Sequence, residues 1–76
     1  MNNTRRGVNY YSPVEISIID EIVNQMKFAK ARNPSRTMDE AGFTMAMADL
    51  GIDFNGAFPE RKIGNVFAKA QRLGYL

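Results

Sequence analysis

The chain has 76 residues, ten Lys/Arg against eight Asp/Glu for a formal net charge of +2, and neither cysteine nor histidine. That length allows one domain with a modest core, burying roughly 60% of the unfolded surface, so a second copy or a larger partner would help to stabilise it. The missing residue types exclude disulfides, zinc fingers and the usual Cys- or His-based catalysis. No metal, cofactor or catalytic residue is therefore expected, and the chain reads as a non-enzyme with no small-molecule substrate. No apolar run approaches the ~20 residues of a membrane span, and the start MNNTRRGVNYY lacks a signal-peptide core, so a cytoplasmic protein without a membrane partner is expected.

Charge is segregated along the chain. Residues 1–36 carry six Lys/Arg against three acids, residues 37–58 carry four acids and no base, and residues 59–76 carry four bases against Glu60 alone. A basic–acidic–basic layout suits a protein that offers its two ends to a polyanion.

Residues 1–9 read as a flexible basic arm. Arg5 and Arg6 are either part of a solvated terminus or contacts to a nucleic-acid backbone or minor groove. Ser12-Pro13-Val14-Glu15 is a helix start: serine as N-cap, proline in the first turn, and glutamate three positions on to complete a capping box. Ile18, Ile19, Ile22, Val23, Met26 and Ala29 then form one apolar stripe, and the helix should stop at Arg32, before Asn33-Pro34. Lys27, Lys30 and Arg32 complement the negative end of its dipole. One of Tyr10 and Tyr11 is expected to pack back on this helix as a staple.

Thr37-Met38-Asp39-Glu40 is a second capping-box pattern, interrupted by Gly42. A short helical turn and a brief extended piece at Phe43 are both open here. Thr44 is expected to cap a short helix through Leu50, with Met45, Ala46, Met47 and Ala48 inside and Gly51 closing it. Ile52 and Phe54 should dip into the core, and Asn55-Gly56 is a turn signal. The methionines at 26, 38, 45 and 47 read as core filler, though with Phe43, Phe54 and Phe58 they could instead face a partner.

The final helix is expected over 59–73, opened by Pro59 and ended by Gly74 as a C′ glycine. Ile63, Val66, Phe67, Ala70 and Leu73 fall within an arc of roughly 120°. Arg61, Lys62, Asn65, Lys69 and Arg72 gather in an arc of about 100° on the far side. Such a helix anchors by one stripe and offers cations and an amide on the other, as major-groove reading requires. Arg61 and Asn65 are the base-reading candidates, Lys62, Lys69 and Arg72 the phosphate contacts, and Arg5, Arg6, Lys30 and Arg36 secondary DNA contacts. Gly64, taken as mid-helix, points either to close packing against the short helix or to approach of a phosphate.

Together these elements predict an all-α, three-helix helix-turn-helix domain over 10–76, with the first helix bracing the other two. Its eight-residue connector exceeds the tight turn of the simplest repressors and points to a winged-helix variant. The pattern Gly64-x-x-Phe67-x-x-Ala70-x-x-x-Gly74-Tyr75, preceded by Phe43-Thr44 and Asp49-Leu50, resembles winged-helix modules of bacteriophages and related mobile elements. The resemblance covers residues 43–76. It implies a recognition helix begun near Gly64 and a closing glycine leading towards a β-wing, here absent or truncated. It also implies a bacterial host cell, and a place in replication-origin binding or transcription regulation, alone or as the N-terminal module of a longer protein. The function expected is sequence-specific binding of double-stranded DNA, as a homodimer or as paired modules on repeated half-sites. The alternative is a small protein-interaction module, or an inhibitor of a host factor, using an exposed Met/Phe surface.

Overall fold

The computed structural model describes residues 10–76, which form four α-helices and no strand. The expected arm over 1–9, with Arg5 and Arg6, lies outside the described residues.

Helix α1 spans Pro13–Arg32 and follows its sequence signals closely. The Glu15 N–H donates to Ser12 Oγ at 3.1 Å, and the Ser12 N–H donates back to Glu15 Oε1 at 2.9 Å, so both halves of the capping box are made. Ile19, Ile22, Val23, Met26 and Ala29 are buried along one face, with Ile18 half-buried at its margin. The helix ends where Asn33 turns extended before Pro34. Tyr11 is the buried tyrosine and Tyr10 the exposed one.

Helix α2 spans Glu40–Leu50, beginning four residues before the expected Thr44 cap. Its N-cap is Asp39, which accepts from the Gly42 N–H at 3.1 Å, and not Thr37. Thr44 lies inside the helix and turns its hydroxyl back onto the Glu40 carbonyl. Gly42, read as an interruption, is what permits the first turn to form. A Cβ there would stand 1.8 Å from the Thr37 carbonyl oxygen, because the chain leading into α2 lies against this glycine. Gly51 closes the helix at φ 70, as expected.

Ile52 and Phe54 dip towards the core, but Asn55-Gly56 is not a loose turn. It belongs to a one-turn helix, α3, Phe54–Ala57, whose N-cap Asp53 accepts from the Gly56 N–H at 2.8 Å. The last helix, α4, spans Ile63–Arg72 and starts four residues later than expected. Pro59 occupies the second position of a turn across Phe58–Arg61, with Glu60 third at φ 68 and the Arg61 N–H donating to the Phe58 carbonyl at 3.2 Å. Proline suits both a first helical turn and this turn position because its fixed φ serves either. Gly74, at φ 79, ends α4 as expected. The Tyr75 N–H reaches the Ala70 carbonyl and the Gly74 N–H the Gln71 carbonyl, the paired bonds of a Schellman ending.

Helix α1 packs along α2, and α4 touches both. The core has Phe43 and Phe58 fully buried at its centre, with Ile19, Ile22, Met26, Ala46, Val66 and Ala70 around them. Phe67 meets Phe43 edge-on, with ring centroids 5.7 Å apart. Phe43 and Phe58 are therefore unavailable to a partner, whereas Met45, read as filler, is 49% exposed.

Gly42→Ala should cost about 1–3 kcal/mol, the range for forcing atoms into a filled site, since the Cβ meets backbone that cannot rotate aside. Urea denaturation at neutral pH measures it. Gly64→Ala serves as the contrast and should stabilise by up to about 1 kcal/mol, because its Cβ would meet only Glu40 Oε1, at an ordinary 3.6 Å, and alanine favours a helix over glycine.

Candidate nucleic-acid interface

Two clusters of cations result from this fold. The first centres on Arg61, which precedes α4 and faces the start of α1. Its Nε donates to Glu15 Oε2 at 2.8 Å, its Nη2 to Glu15 Oε1 at 3.1 Å, and Nη2 also bonds the Tyr10 carbonyl. The guanidinium carbon stands 3.7 Å from the centroid of the Tyr11 ring. Arg61 and Glu15 side chains are only 12% and 17% exposed. Arg61, expected on the outer face of the last helix as a base reader, is therefore placed elsewhere. The residue lies outside the helix, and its donors are turned onto the protein.

The Arg61 guanidinium holds the Glu15 carboxyl below its ordinary 4.5, against an opposing push from burial, with the Ser12 N–H helping. Glu15 in turn raises Arg61. No sequence signal announced this pair: the capping box already accounted for Glu15, and the partner lies 46 positions away.

The second cluster is the outer strip of α4. Lys62 occupies the N-cap position without a side-chain cap, and Asn65, Lys69 and Arg72 follow along the same strip. Lys62, Asn65 and Arg72 are exposed and Lys69 is half-buried. The side chains of Lys62, Asn65 and Arg72 make no hydrogen bond or ion pair with another described residue. Lys69 leans towards Tyr11, its Nζ 5.3 Å from the ring centroid. The opposite face is anchored by Val66 and Ala70, both fully buried. Four of the five expected α4 residues are therefore brought together and one is withdrawn. Gly64 sits in the first turn, not mid-helix, and no close packing requires it.

The secondary candidates separate. Lys30 is exposed near the end of α1. Arg36 is turned inward, its Nη2 donating to Asp49 Oδ2 at 2.6 Å, and lies in a different part of the surface.

Glu15→Gln keeps a carbonyl acceptor for the Ser12 N–H but discharges the Arg61 pair, and should cost about 1–3 kcal/mol. The pH dependence has a definite sign. A carboxyl depressed on folding stabilises the native state above 4.5, and that stability is lost as pH falls through the folded value. Urea titrations from about pH 7 down to about pH 3 should show a shallower acid limb in Glu15→Gln than in the parent chain.

No protein-family model, no curated protein and no solved structure matches this chain.

Proposed function

We propose that the chain is a double-stranded DNA-binding domain of helix-turn-helix type that reads the major groove with α4. The observation that carries this reading is the α4 strip. Lys62, Lys69 and Arg72 flank Asn65 on the outer side of a ten-residue helix that has no acid of its own, while Val66 and Ala70 anchor the other side. An asparagine among cations is what base-edge recognition within a phosphate-lined groove requires. Asn65 is the base-reading residue, and Lys62, Lys69 and Arg72 are phosphate contacts.

In this reading α2 and α4 form the two-helix unit, α3 lies in its connector, and α1 braces both. One base-reading side chain with three phosphate contacts specifies few base pairs. Two copies on repeated half-sites would supply the specificity of a replication-origin or regulatory protein of the phage type that residues 43–76 resemble.

Binding of the 76-residue chain to mixed duplex DNA should fall steeply with salt. Lys62→Ala and Arg72→Ala should each weaken all sequences alike and reduce the log–log salt slope by about 1. Asn65→Ala should instead relax discrimination at one position of a site selected from a random duplex pool, by about 1–3 kcal/mol. Absence of binding at low salt, with the fold intact by circular dichroism, would sink the reading. Arg61→Ala is not diagnostic, since it also breaks the pair with Glu15.

A further inference from the structure

About 20 Å along α1 from Glu15, at ~1.5 Å per residue, lies a groove that the α4 strip does not use. It is a shallow, open depression of about 390 Å³ between the last turns of α1, the loop after it and the end of α2. Arg36 is its central feature. The turn after Asn33 brings it inward, and its Nη2 binds Asp49 Oδ2, which also accepts from Gln25 Nε2 at 3.0 Å. The Arg36 side chain is 15% exposed, and its Nε is buried with no hydrogen-bond partner. A buried charged donor without an acceptor is costly, so this nitrogen is an unmet demand for an oxygen.

Beside it the Phe28 ring is 55% exposed, with the Arg32 guanidinium over it at 5.3 Å from the centroid. The charged lining is Arg32, Arg36 and Asp49. Since Asp49 is matched by Arg36, one positive charge remains to be met. We infer that this groove docks a short segment of a protein partner in which an acidic side chain adjoins an aromatic or aliphatic one. The side chains that bury Arg36 Nε shift to admit the carboxylate, which accepts from it and meets the charge of Arg32, and the apolar neighbour covers Phe28.

The other polyanions fit less well. A duplex backbone presents phosphates but no apolar group for the Phe28 ring. Single strands are bound on successive aromatic platforms, and this groove has one. A peptide supplies both chemistries within adjacent residues. On α2, Met45 stands one turn before Asp49, also exposed, and offers further apolar surface. The inference does not depend on the reading of α4.

The test is to pan random heptapeptides on the folded 76-residue chain, then titrate a synthetic selected peptide into isotope-labelled protein and follow it by NMR. Selected peptides should carry Asp or Glu within two positions of Phe, Tyr, Trp or Leu. They should shift the Arg36 Nε–H and the Phe28 and Ala29 amides while leaving Asn65 and Arg72 in place. Phe28→Ala and Arg36→Lys should each weaken binding about tenfold. Asp49→Asn should tighten it severalfold, because the competing carboxylate is gone; a purely structural Asp49 would not give that gain. Peptides selected without acids, an unshifted Arg36 Nε–H, an unaffected Phe28→Ala, or the same shifts produced instead by a single-stranded oligonucleotide would overturn the proposal. Loss of duplex binding by α4 variants would leave it standing.

Discussion

The contact between Glu15 and Arg61 joins the two ends of the described chain. Glu15 belongs to the first turn of α1 and already closes its capping box, while Arg61 is the second residue before α4. A bidentate guanidinium–carboxylate pair, shielded by the Tyr11 ring and closed by the Tyr10 carbonyl, sets the position at which α4 begins. Because both charges are largely withdrawn from water, each needs the other more than a surface pair would. In a chain this small, a loss of even ~2 kcal/mol is a large part of the total stability. The orientation of the α4 strip therefore depends on a polar contact at its N-terminal side as well as on the apolar core beneath it.

The core itself is a short list of residues arranged around Phe43 and Phe58. Phe43 is delivered by α2 and Phe58 by the connector, so the segment between α2 and α4 is held by a buried aromatic as well as by the single turn of α3. Val66 and Ala70 seal α4 onto that centre. Once these positions are occupied, the outward side of α4 follows from helical geometry: Lys62, Asn65, Lys69 and Arg72 share one strip. The acid of the neighbouring α2 start, Glu40, lies near Gly64, at the end of α4 where its dipole favours negative charge.

The two ends of α1 thus serve different chemistries. Near its start, cations are either consumed by Glu15 and Tyr11 or displayed on α4. Near its end, Arg36 is half satisfied by Asp49 and half left over, next to an exposed aromatic. Asp49 lies near the C-terminus of α2, where a negative charge opposes the helix dipole, and the two donors from Arg36 and Gln25 offset that disadvantage.

Local chemistry was legible from the sequence wherever a signal and its consequence lie within a few residues. The capping box of α1, its arrest before Asn33-Pro34, its buried stripe and the glycine endings at Gly51 and Gly74 all follow from backbone sterics and unsatisfied terminal groups. The content of the α4 strip was legible too, because residues three, four and seven apart share a face whatever the helix packs on. Phe28 could have been noticed, since it falls off the α1 stripe. Only tertiary structure decided the rest. Pro59 serves a turn because Phe58 must reach the core, and Arg61 leaves the outer face because Glu15 waits 46 residues upstream. Helical periodicity specifies a face, but the partner that a charge finds across the fold is set by packing, which no local pattern encodes.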